Sequence, residues 1–68
     1  MNKIQKIIVK KMAEGYTQLE VSEYLIRRNI SPNSLSTIEK ELVKLKKEYG
    51  ALTLIHLFIL LVKKGKLE

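Results

Sequence analysis

Apolar side chains recur along the chain at spacings of three and four, and no stretch alternates apolar with polar. That period belongs to helices whose one face is buried. The first segment spans residues 3–14. Ile4, Ile7, Ile8 and Met12 share a face, Lys3, Lys6 and Lys10 lie opposite, and Gly15 is placed to stop it. The second spans 18–28. Thr17 and Glu20 have the spacing of a capping box, with Tyr16 and Val21 at the staple positions. Its expected buried face is Val21, Leu25 and Leu19, and Asn29 is its left-handed stop. Arg27 and Arg28 suit the negative end of its dipole.

The third segment spans 32–49. Ser31 is its expected cap, Pro32 its first helical residue, and Ile30 and Leu35 a second staple. Leu35, Ile38, Leu42, Leu45 and Tyr49 form its apolar face, and Gly50 closes it. The opposite arc collects Asn33, Ser36, Lys40, Lys44 and Lys47, with Thr37 at its edge. The fourth segment, 53–64, stops at Gly65 and breaks the pattern. Leu54, Leu57, Phe58 and Leu61 make one stripe, and Ile55, Ile59 and Val62 make another. A helix apolar almost all round is covered on more than one side. Three other helices leave the second stripe without a cover inside the chain, so it is assigned to self-association.

The fold class is therefore all-α, with four helices in one domain over residues 1–66. Residues 67–68, Leu-Glu, read as a cloning remnant. A chain of 68 residues buries only about 60% of the surface its unfolded form exposes, so a second subunit commonly completes such a domain.

Composition narrows the function. There is no cysteine, a single histidine and no aspartate, which is too little for a metal site or a hydrolytic triad. No enzyme activity, cofactor or small-molecule ligand is expected. Thirteen Lys and Arg against seven acidic residues give a net charge of +6 and point to an anionic partner. The apolar run at 51–62 would span about 18 Å as a helix, at ~1.5 Å per residue, against a bilayer core of ~30 Å. No secretory leader shows in "MNKIQKIIVKKM". A cytoplasmic, non-membrane protein is expected.

The second and third helices, joined by two or three residues, form a helix-turn-helix pattern. The second helix of such a unit enters the major groove. Short polar side chains (Asn33, Ser36, Thr37) are placed toward bases. Lys40 is placed toward a base or a phosphate, and Lys44 and Lys47 toward phosphates, helped by Arg27 or Arg28.

The stretch "MAEGYTQLEVSEYL" followed by "ISPNSL" resembles the DNA-binding domain of the LuxR/GerE transcription regulators. Ala13, Glu14, Gly15, Thr17, Glu20, Val21, Leu25, Ile30, Ser31, Ser34 and Leu35 carry the resemblance, and Gly50, Thr53 and Gly65 extend it over nearly the whole chain. The chain departs from the family in a longer connection, "IRRN", and in having Ser36 and Ile38 where the family has Lys and His. The resemblance implies a small, stand-alone GerE-like transcription regulator, cytoplasmic in a bacterium and nucleoid-associated in use. It would bind double-stranded DNA as a homodimer, paired through the fourth helix at Ile55, Ile59 and Val62. The competing expectation is a helical protein–protein interaction module that uses the same exposed helix.

Overall fold

A computed structural model describes residues 1–67. They form four helices and no strand: α1 Lys3–Ala13, α2 Gln18–Arg27, α3 Leu35–Tyr49 and α4 Leu54–Lys63. The all-α expectation holds. Glu68, half of the expected cloning remnant, lies outside the described residues, while Leu67 packs against the core.

Each helix starts at a side-chain cap. The Asn2 amide oxygen accepts from Gln5 N at 2.8 Å while Gln5 Oε1 accepts from Asn2 N at 3.0 Å, a capping box that opens α1. The expected box at α2 also forms. Thr17 Oγ1 accepts from Glu20 N at 3.1 Å, and Glu20 Oε1 accepts from Thr17 N at 2.9 Å. The backbone N–H of Thr17, then its hydroxyl, hold the Glu20 carboxyl below the ordinary carboxylate range. At α4, Thr53 Oγ1 accepts from His56 N at 3.0 Å, and His56 Nδ1 accepts from Leu52 N at 3.1 Å. The lone histidine thus satisfies an N–H at the helix entry.

All four helices stop in the same way. The N–H groups of Tyr16, Ile30, Ala51 and Lys66 reach back to the carbonyls of Lys11, Leu25, Lys46 and Leu61, at 2.8–3.0 Å. This six-to-one bond is the Schellman motif, which needs a left-handed residue one position earlier. Asn29 takes that place after α2 at φ 55°. Glycine takes it at the other three stops.

The start of α3 differs from expectation. Ser34, not Ser31, is the cap, its Oγ accepting from Thr37 N at 3.2 Å. Pro32 therefore lies in the connection, which runs over residues 28–34 and is much longer than the two or three residues expected. The connection is pinned instead by polar bonds. Ser22 Oγ donates to Asn33 O at 2.6 Å, and Asn33 Nδ2 donates to Ile30 O at 3.1 Å. Ser31 and Ser34 both precede residues that suit a first turn, so local chemistry alone ranked them wrongly. Leu35, expected in the buried face and in a staple with Ile30, is 39% exposed.

The core is Ile8 and Val9 of α1, Val21 and Leu25 of α2, Ile38, Leu42 and Leu45 of α3, and Leu57 and Leu61 of α4. Leu19, expected beside Val21, is instead exposed. At ~100° per residue it lies on the opposite half of α2 from Val21, and Ser22 occupies the buried flank. The structure packs α3 against each of the other three helices.

The cap reassignment has a direct test. Ser34→Ala and Thr17→Ala each cost about 1 kcal/mol, lowering the melting temperature by ~4–8 °C in a domain of this size. Ser31→Ala leaves it unchanged. Thermal melts followed by circular dichroism at one protein concentration check this. A Ser34→Ala curve that overlays the parent would return the helix start to Ser31.

Candidate nucleic-acid interface

The buried face of α3 dictates which side chains it offers to solvent. With Ile38, Leu42 and Leu45 turned inward, Ser36, Glu39, Lys40, Val43, Lys44, Lys47 and Glu48 are exposed. Ser36, Lys40, Val43 and Lys47 follow one another at steps of three and four, so they form a single ridge. A shallow depression of about 450 Å³ runs beside it, lined by Ser36, Glu39, Lys40, Val43 and Lys44. Ser36, Lys40, Lys44 and Lys47, four of the residues singled out for DNA contact, thus share this side of α3.

Others were placed differently by the fold. Asn33 precedes α3 and stands in the connection, half-buried, its amide and carbonyl both engaged. It is not on the outward arc of the helix, because the helix begins two residues later. Thr37 is half-buried, and its hydroxyl lies 2.8 Å from that of Ser34. Arg27, in the last turn of α2, is exposed. Arg28 caps the end of α2, its guanidinium 5.1 Å from the ring centre of Tyr24. Lys11 of α1 lies over the same ring at 4.5 Å, and Tyr16 meets it edge-on at 6.2 Å. Arg28 therefore belongs to a cation–aromatic seam between α1 and α2.

One α3 lysine is already partly answered within the chain. Lys44 Nζ lies 3.3 Å from Glu41 Oε2, and Glu41 Oε1 accepts from Gln5 Nε2 of α1 at 2.9 Å. Gln5 is buried and its own oxygen is committed to Asn2. Glu41 thus links α1 to α3 with one oxygen and steadies Lys44 with the other. Among the described residues Lys40 and Lys47 have no such carboxylate.

Val43 was not among the residues singled out, although the three-and-four spacing from Ser36, Lys40 and Lys47 places it on the ridge. Sorting the helix into an apolar face and a polar arc discarded an apolar residue on the polar side.

The second candidate surface is on α4. Leu57 and Leu61 are fully buried, whereas Ile55, Ile59 and Val62 are 76%, 48% and 64% exposed. Leu52, just before the helix, is 85% exposed. Met12, Leu54, Ile55, Phe58, Ile59 and Val62 line an open apolar groove of about 590 Å³ with Lys63 at its rim. Among the described residues no three metal-ligating side chains come together, and no helix is long and apolar enough to cross a membrane.

No protein-family model matches the chain, and no curated protein or solved structure matches it.

The Gln5–Glu41 link predicts an asymmetry between two substitutions. Glu41→Ala leaves the buried Gln5 amide without its acceptor and costs about 1–3 kcal/mol. Glu41→Gln keeps an acceptor oxygen there and costs markedly less. Urea unfolding of the two variants measures the difference, and equal midpoints would show that the link carries no weight.

Proposed function

We propose that this protein is a small transcription regulator that binds double-stranded DNA sequence-specifically as a homodimer, through a helix-turn-helix related to the LuxR/GerE type in which a seven-residue connection, 28–34, replaces the tight turn. The observation that carries the reading is the exposed ridge of α3. Its N-terminal end bears the short side chain of Ser36, and lysines follow at Lys40, Lys44 and Lys47. Short polar groups approach base edges, and lysines further along reach phosphates. The net charge of +6 supplies the general attraction to a polyanion. Backbone support from Arg27 belongs to the same reading. Asn33 and Arg28 are assigned to the connection and the α1–α2 seam, and Thr37 to the first turn. Neither a cofactor nor a metal enters this function.

Pairing is assigned to α4 through Ile55, Ile59 and Val62. Their exposure beside a groove made by Met12 and Phe58 supports it, because full burial of such a side chain is worth about 1.5–3 kcal/mol, of which a partner would supply the share still exposed. The same exposure favours one second reading, an interaction module that uses α4 to hold a different protein. Selection of bound duplexes from a random pool separates the two, since only a DNA reader enriches a sequence.

Two outcomes are expected. Lys44→Ala and Lys47→Ala weaken binding to selected and random duplexes alike, and each flattens the salt dependence by about one per phosphate contact, or two in a symmetric dimer. Ser36→Ala instead changes which duplex is preferred. Titrations at several salt concentrations read both effects. Lysine variants with the parent's affinity and slope would remove α3 from the groove.

The parent chain sediments as a dimer at tens of micromolar, and Ile59→Glu sediments as a folded monomer with parental helicity. Ile59 is half exposed in the single chain, so the new carboxylate meets water there and is buried only by a partner. A monomeric parent would end the pairing assignment.

A further inference from the structure

Val43 has no task in the function as described so far. It is 45% exposed, and its β-branched side chain is a poorer helix former than the lysines around it. A single exposed valine is ordinary on a protein surface. Its neighbours are what distinguish it. Lys40 stands one turn before it and Lys47 one turn after, with Lys44 beside it, and it shares a depression with Ser36, Lys40 and Lys44. An apolar protein partner seated on Val43 would have to desolvate several ammonium groups, which is costly. A DNA duplex presents the matching arrangement. Phosphates flank its major groove, and the 5-methyl of thymine is the apolar group on the groove floor.

We propose that Val43 is a specificity-determining residue whose side chain packs against a thymine 5-methyl group in the major groove. This rests on the DNA-binding reading above. The helix dimensions agree with it. Ser36 and Val43 are seven residues apart in sequence, about 10.5 Å along a helix at ~1.5 Å per residue. A recognition helix lies in the major groove, so residues that share one outward ridge face the same groove. Lys47, one further turn along, carries a side chain long enough to reach a flanking phosphate. Ser36 and Val43 then read bases at two points on one ridge, and the lysines between and beyond them fix the register.

The test replaces each thymine of the selected duplex, one at a time, with deoxyuridine, which removes only the methyl group. The parent protein loses about fourfold in affinity at one thymine in each half-site, the worth of one buried methyl. Val43→Ala, an exposed substitution that leaves the core intact, loses sensitivity at that thymine and keeps the parent's profile elsewhere. A parent that binds its selected duplex with no methyl-sensitive thymine overturns the proposal, and so does a Val43→Ala profile identical to the parent's. In both cases DNA binding itself stands. If no duplex is enriched at all, the DNA reading fails and the Val43 assignment falls with it.

Discussion

The buried face of α3 is what the rest of the molecule is built around. Ile38, Leu42 and Leu45 are removed from water almost completely, and their helix packs on α1, α2 and α4. Core side chains of this size each contribute about 1.5–3 kcal/mol when buried, a large share of the net stability of a small domain. Their phase around the helix fixes everything on its other side. Once Ile38, Leu42 and Leu45 point inward, Ser36, Lys40, Val43 and Lys47 have nowhere to point but outward. The candidate reading ridge is a consequence of the core.

The same packing leaves α4 half covered. Its Leu57–Leu61 stripe is used by the core, and nothing in the described chain remains to cover Ile55, Ile59 and Val62. Directional bonds add to this apolar packing. A Schellman stop ends each helix. The Gln5–Glu41 bond ties α1 to α3, and the Ser22–Asn33 bond sets the path between α2 and α3. These polar links are directional, so they specify geometry where apolar contact specifies only proximity.

Much of this architecture could be read from the residues. The four stops were legible because Gly15, Asn29, Gly50 and Gly65 each follow a periodic segment, and left-handed backbone is restricted to few residue types. The two stripes of α4 were legible because no polar arc interrupts them. Failures came where two local signals competed or where a tertiary bond decided. Ser31 and Ser34 are both adequate caps. Ser34 is the cap in the fold, and the connection before it is held by the Ser22 bond to Asn33, which joins positions eleven residues apart and leaves no trace in local spacing. That displacement took Asn33 off the helix. Leu19 was assigned inward for its residue type, against its angular position. Val43 was passed over because it is apolar yet lies off the apolar face, so it entered neither the core set nor the polar arc.

The two candidate surfaces lie on helices that pack directly on one another, an arrangement that suits the proposed DNA regulator. α4 packs directly on α3, so the proposed symmetric pairing through Ile55, Ile59 and Val62 would hold two α3 ridges at a fixed separation and orientation. A two-fold dimer presents the same patch from each copy, and helix-turn-helix dimers use that symmetry to engage half-sites one helical turn of DNA apart, about 34–36 Å, or a multiple of it. A protein that only needed to hold a partner on α4 would gain nothing from a rigid neighbouring helix with lysines along its outer ridge. A duplex reader gains twice from it. One copy's phosphate contacts raise the local concentration of the second ridge at its own half-site, and the second copy's contacts are then made without a further search. In the proposed function the apolar stripe and the basic ridge act as one device, in which α4 sets the spacing and α3 reads.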